Sequence, residues 1–395
     1  MNIFKNKLLW IAPIATMIIL VIFSLAFYPA YNPKPKDLPI GILNEDKGTT
    51  IQDKNVNIGK KLEDKLLDSD SNKIKWVKVD SEKDLEKDLK DQKIFGVAII
   101  DKDFSKDAMS KTQKVVMDSK KEEMQQKVAS GEIPPQVVQQ MKQKMGNQQV
   151  EVKQAKFKTI VSEGSSLQGS QIASSVLTGM GDNINAQITK QSLETLTSQN
   201  VKVNAADING LTNPVKVDNE KLNKVKDHQA GGNAPFLMFM PIWIGSIVTS
   251  ILLFFAFRTS NNIVVQHRII ASIGQMIFAV VAAFAILGFV GLILGVMVWL
   301  GMKSVPIFFI LMFFSMQLVT LPKQMLPESY QKYVYDWNPF THYATSVREL
   351  LYLNHHIELN STMWMFIGFM IFGAVSSLVS AIVRKHSTKR TEVPS

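Results

Sequence analysis

The residues able to do chemistry are few and poorly arranged for it. His355 and His356 are adjacent, so they cannot share one helical face as metal ligands three or four apart do. No H-E-x-x-H sequence is present. Gly59-Lys60 lacks the upstream glycine of a phosphate-binding loop, because position 54 is Lys54, so ATP is not bound through a P-loop. The absence of cysteine excludes disulfides, thiolate metal sites and cysteine nucleophiles. These residues imply no cofactor, no metal and no catalytic constellation, and an enzyme reading has nothing to rest on.

The elements that would position any site fall into two kinds. The chain has 395 residues, 46% apolar and 20% charged, with a formal net charge of +10. Residues 29–234 hold 32 of the 39 Lys and 29 of the 34 acids, a local net of +3. The remainder carries 12 basic and 5 acidic side chains, a net of +7, and all five Arg lie at or beyond Arg258. The charge on 29–234 is a solvated face, not a nucleic-acid footprint.

Four stretches outside that region are apolar. Residues 8–28 form an uncharged run preceded by Lys5 and Lys7. It is longer than a signal-peptide core, which makes 1–28 a retained anchor. Residues 235–257 and 362–383 are two more runs, and 269–321 is a fourth with Lys303 as its one charge. No soluble fold tolerates this, so the class is a polytopic α-helical membrane protein. Its partner is the lipid bilayer. Basic residues favour the cytoplasmic side. Lys5 and Lys7, Arg258 and Arg268, and the tail cations Arg384, Lys385, Lys389 and Arg390 therefore place both termini and loop 258–268 inside. Residues 29–234 then lie outside, and 384–395 form a cytoplasmic tail. The balanced segment 322–361 fits an external position within a bundle spanning 235–383.

Parity requires 269–321 to cross an odd number of times. Lys303 marks a cytoplasmic break and makes 305–321 one crossing. The favoured reading sends residues 269–302 out and back as two short helices with a turn near Gly288–Gly291; the alternative is one long tilted helix, which breaks the charge rule at the C-terminus. Bilayer thinning or burial inside the bundle accommodates such helices.

The external region opens with Leu38-Pro39-Ile40-Gly41-Ile42-Leu43, a strand, and Asn44-Glu45-Asp46-Lys47-Gly48, a turn. Helix 57–67, strand 73–79, a helix capped by Ser81, and strand 94–100 complete a β-α-β-α-β lobe with a partly parallel sheet. Residues 120–199 read as a helical hairpin or stalk broken at Pro134-Pro135 and able to self-associate. Its stripe Ala173, Leu177, Met180, Ile184 and Ile188 is a packing face. Residues 201–217 read as extended, and Gly231-Gly232-Asn233 as a joint. Within the spans, Gln275, Gln317 and Thr320 suit helix–helix hydrogen bonds rather than a substrate path.

Two proline-rich stretches stand out. One is Ala234-Pro235-Phe236-Leu237-Met238-Phe239-Met240-Pro241-Ile242-Trp243-Ile244-Gly245. The other runs Leu321-Pro322, Met325-Leu326-Pro327, Tyr330, then Asn338-Pro339-Phe340-Thr341-His342-Tyr343-Ala344 and Val347-Arg348-Glu349. The second predicts a short aromatic helix capped by Thr341 and carrying Tyr343, Val347, Leu350 and Leu351. It would lie in the outer interface with Trp337 at headgroup level.

At these residues the sequence resembles the YhgE/Pip-like (phage infection protein) family of membrane proteins, in the superfamily of type 2 ABC permeases. The motif residues are Asn44, Asp46 and Gly48 after the first span, Pro235 and Pro241 at the second, and Pro322, Pro327, Tyr330, Asn338, Pro339, Phe340, Tyr343, Arg348 and Glu349 before the last. The resemblance implies one span, a large α/β and helical extracellular domain, then about five spans. It implies an export permease, paired as a homodimer or with a second permease, and powered by a separate cytoplasmic ATPase. Loop 258–268, with Arg258, Asn261, Gln266, His267 and Arg268, is the candidate coupling segment. The alternative is a non-transporting surface component, a scaffold for secretion machinery or a phage receptor.

Overall fold

The computed structural model describes residues 7–31, 33–51, 54–131, 150–227, 229–257, 265–285, 288–353, 356 and 359–383. The chain divides into two compact units. One comprises Pro35–Lys224, the other Met1–Lys34 with Val225–Ser395. The latter begins with helix α1 (Lys7–Tyr31).

Unit Pro35–Lys224 is built on a five-stranded sheet. Its elements are β1 (Leu38–Asn44), β2 (Thr49–Ile51), β3 (Lys54–Val56), α2 (Ile58–Leu67), β4 (Ile74–Lys78), α3 (Glu82–Lys90), β5 (Gly96–Ile100), α4 (Phe104–Ala129), β6 (Ala155–Ser162), α5 (Leu167–Ser198), α6 (Ala205–Thr212) and β7 (Val215–Leu222). The order is β4-β1-β5-β6-β7. β1 runs parallel to both neighbours, β6 is antiparallel to β5, and β7 is parallel to β6. The expected β-α-β-α-β run thus supplies the parallel trio β4-β1-β5, β6 and β7 add a second parallel pair, and β2–β3 form a separate small hairpin.

Alternation sorts the strand residues to two covered faces. Leu38, Ile40 and Ile42 of β1 and Ala98 and Ile100 of β5 meet Phe104, Ala108 and Met109 of α4 and the stripe Ala173, Leu177, Met180, Ile184 and Ile188 of α5. Leu43, Val97 and Ile99 meet Leu85 and Leu89 of α3 on the other side. Each fully buried Leu, Ile, Val, Phe or Met among them contributes roughly 1.5–3 kcal/mol by leaving water. Gly41 leaves little room on this second face, since a Cβ there would meet the Ile94 and Val79 side chains at 3.0 Å.

Three expectations change. The stripe on α5 is taken up by the sheet of its own unit, so α5 covers a sheet and is not a free stalk. A strand, β6, lies inside the stretch read as helical; its alternation of buried Ala155, Phe157 and Thr159 with exposed Lys156 and Lys158 was a period-two signal. Residues 201–217 are not extended throughout. Ala205–Thr212 is a helix, tied to α4 by the ion pair Lys111–Asp207 at 2.7 Å. Pro134 and Pro135 lie outside the described residues.

The other unit is helical: α7 (Ala234–Ala256), α8 (Val265–Ala285), α9 (Phe289–Leu300), a 3₁₀ turn over Gly301–Ser304, α10 (Val305–Thr320), α11 (Glu328–Tyr333), α12 (Pro339–Tyr352) and α13 (Ser361–Val383). A further 3₁₀ turn, Ala230–Gly232, occupies the expected joint. Among the described residues, Ala234–Ala256, Phe289–Thr320 and Ser361–Val383 are long and apolar enough to cross a membrane. Phe289–Thr320 is not one rod. Taken as a single helix it would be about 48 Å long, well beyond a hydrocarbon core of about 30 Å. Gly301 at φ 61° breaks it, and Lys303 lies in the break. The other expected turn begins α9 at Gly288, φ 79°.

α9 has only 12 residues, about 18 Å of helix. It is buried along nearly its whole length and packs between α7 and α13. α1 packs against α10, where Phe23 meets Phe313 edge-on at 4.5 Å.

Candidate functional site

The proline-rich residues converge on the core of the helical unit. Asn338, not Thr341, caps α12: its side-chain oxygen accepts from the Phe340 amide at 2.9 Å. Pro339 follows at the first helical position, where a missing amide costs nothing. Thr341 instead donates to the carbonyls of Asn338 and Tyr335, at 2.7 and 2.8 Å. The Asn338 amide donates to Ser315 of α10 at 3.0 Å. Asn338 and Thr341 are 1% and 3% exposed, so these bonds supply the partners that burial away from water demands.

This cap seats Phe340 among aromatic rings. Phe340 lies 4.6 Å from Trp243, 4.8 Å from Phe239 and 5.1 Å from Phe289 between ring centroids. Trp243 also donates its indole N–H to the Phe308 carbonyl at 3.2 Å. Tyr343 packs on Phe289, fully buried, and its hydroxyl has no hydrogen-bond partner among the described residues. The expected interfacial helix therefore differs in its face. Phe340, Tyr343, Ala344, Arg348 and Tyr352 are buried in the bundle, while Leu350 and Leu351 are exposed. Of the expected set, Tyr343 and Val347 turn toward the bundle while Leu350 and Leu351 face away from it.

The remaining motif residues shape the chain around this core. Pro235 opens α7, and Pro241 lies inside it. Pro322 ends α10, and Pro327 caps α11. The buried Arg348 donates to the Val319 carbonyl in the last turn of α10, as a cation at a helix C-terminus should. Tyr330 donates to the Leu25 carbonyl of α1 at 2.7 Å. Glu349 is half-buried on α12.

Glycine spacing placed a second feature that sequence reasoning read only as a turn. Gly291 and Gly295 of α9 face Gly373 of α13 so closely that a Cβ on Gly373 would stand 2.5 Å from the Gly291 carbonyl oxygen. Beside this seam Ser376 donates to the Gly295 carbonyl at 2.6 Å and accepts from the Trp299 indole at 2.6 Å. Small residues and hydrogen bonds are what hold helices together where apolar burial gives no gain. Gln275 donates to the Leu253 carbonyl of α7 at 3.4 Å, a helix–helix bond, while Thr320 bonds within its own helix.

The motif in the other unit is a structural knot. The buried Asp46 carboxylate accepts from the amides of Gly48, Gly59 and Ser105 at 3.1, 3.0 and 3.1 Å, and from the Ser105 hydroxyl. Gly59 and Ser105 open α2 and α4, so a negative charge sits at two helix N-termini. Gly48 has φ +74°, which suits glycine. Asn44 accepts from the Asp46 amide and donates to Glu63. Burial alone would raise the Glu63 carboxyl; donors Asn44, Lys78 and Lys60 outweigh it and hold it below the ordinary 4.5. Every group here has a partner, which leaves nothing to hold a ligand.

Of the candidate coupling residues, Arg258 and Asn261 lie outside the described residues. Gln266 and His267 are exposed, and Arg268 half-buried, in the first turn of α8. His355 and residues 384–395 are likewise outside the described set.

Long apolar helices around a buried, glycine-packed short one define a helical membrane protein, and among the described residues the core holds no cluster of acidic or histidine side chains. The profile of the ABC-2 family transporter proteins matches residues 7–306, more than half of the chain. The chain belongs to that family: it is a membrane permease component of an ABC transporter, a class that transports and is not an enzyme family. No curated protein and no solved structure matches it.

Proposed function

We propose that this protein is the permease of an exporter of the YhgE/Pip-like kind, moving a substrate outward with energy from a separate cytoplasmic ATPase. Two permease halves, a homodimer or a pair, enclose the path. The observation that carries the reading is the family match, read together with the charge at the span ends. Lys5 and Lys7, Arg258 and Arg268, and Arg384 and Lys385 assign both termini and loop 258–268 to the cytoplasm and residues 29–234 to the outside. Unit Pro35–Lys224 is then an extracellular α/β domain, and α12 re-enters the membrane from outside. Loop 258–268 is the surface an ATPase presses upon.

The test is purification of the chain in mild detergent from its native membrane, with Arg258 and Arg268 replaced by Ala in parallel. The expected result is an ATPase with a P-loop in the parent preparation and its loss in the variant. A variant that keeps full function at normal surface display, with no ATPase in either preparation, replaces this reading by that of an external scaffold or receptor.

A further inference from the structure

A proline inside an apolar helix leaves one carbonyl without its partner. Pro29 lies in the last turns of α1 and has no amide hydrogen, so the Leu25 carbonyl four residues earlier lacks its usual helical donor. The Tyr330 hydroxyl donates to that carbonyl. The Leu25 side chain is 55% exposed on an apolar helix, where lipid offers no hydrogen bond in place of the tyrosine. At the far end of the same segment Arg348 donates to Val319, one of the carbonyls that the end of α10 leaves open before Pro322. Residues 328–352 are thus fastened at both ends to main-chain oxygens.

The two fastenings are unequal. Arg348 is buried, its bond is charge-assisted, and α12 is set into the aromatic core. Tyr330 is half-buried and neutral, and α11 is six residues long with none of them buried. We propose that α11 is a strap, turning about Val334 just ahead of the Tyr335 carbonyl that Thr341 holds, which the Tyr330–Leu25 bond keeps against α1. Its release is a conformational step of this protein, with α12 staying anchored. The step couples movement of α1 to the outer end of α10 and stands apart from the identity of any ATPase or substrate.

The chain has no native cysteine, so a spin-label pair at Tyr28→Cys and Tyr333→Cys, both sites more than 60% exposed, reads the strap directly in lipid nanodiscs. The parent gives one short, narrow distance. Tyr330→Phe adds a longer population. Pro29→Ala restores an amide to the Leu25 carbonyl within α1 and adds the same longer population with Tyr330 intact. Gln331→Ala, whose side chain donates to the Leu326 carbonyl just ahead of α11 and not to α1 among the described residues, leaves the distance unchanged. A Tyr330→Phe distribution that superimposes on the parent overturns the proposal. So does a Pro29→Ala distribution that stays short, which keeps the test decisive if either variant folds poorly.

Discussion

Single buried polar groups are matched to partners at some positions of this protein and left unmatched at others. Asp46, Asn338 and Arg348 each meet partners suited to their chemistry, whereas the Tyr343 hydroxyl meets none among the described residues. An unpaired buried hydroxyl costs about 1–3 kcal/mol. Tyr343→Phe should therefore raise thermal stability by about 1 kcal/mol or more in detergent, seen as a higher unfolding midpoint. A lower midpoint would show that the hydroxyl has a partner after all. Glu63 makes the opposite kind of prediction. Its folded carboxyl titrates below 4.5, so the stability it lends is complete above that pH and is lost as pH falls through the depressed value. Asp107, pushed up by burial and by Asp103, works against this, since its protonated form is favoured in the folded state and its contribution fades as pH rises. Glu63→Gln should flatten the acid limb of amide-exchange protection in α2. An unchanged limb in the variant would assign acid sensitivity elsewhere.

Elements were legible where a local signal set them. Ser81 and Asn57 cap the predicted helices, and the breaks at Gly288 and Lys303 fall where glycine and charge interrupt the apolar run. What escaped was decided by distant partners. α12 turns Phe340 inward because Trp243 and Phe289 wait there, over 50 residues away. The run 269–302 reads as two short helices; the structure shows α9 short, buried over most of its length between α7 and α13, with Phe340 stacked at its start. The glycine seam gives a direct test. Gly373→Val drives a side chain into the Gly291 backbone and should cost at least about 2 kcal/mol by overpacking. Gly368→Ala, where a Cβ meets nothing within 4 Å, should be silent in the same thermal assay. Equal behaviour of the two would remove the seam as a determinant of the bundle.

For the whole molecule, the division of charge is the main prediction. Single cysteines at Lys303 and at Trp337, both exposed, should take up a membrane-impermeant maleimide from opposite sides of the membrane. Labelling of both from the same side would break the orientation drawn from the basic residues. The sequence already separated an apolar half from a Lys-rich one, because composition survives without knowledge of contacts. It could not reveal that the motif residues serve two separate tasks, Asp46 knotting one unit and Asn338 seating a helix in the other, since both are short polar residues beside glycine or proline.

The seam between α9 and α13 has a consequence for how the chain is made. α9 is about 18 Å long, too short to be held across a bilayer by its own apolarity. Its glycine face is closed by a helix that begins some 60 residues later, at Ser361. While the ribosome is still extending the chain toward that point, α9 has no lasting place in the membrane. Assembly of the membrane half is therefore completed only once α13 has been made, and any protein truncated before Ser361 reaches quality control with that face uncovered.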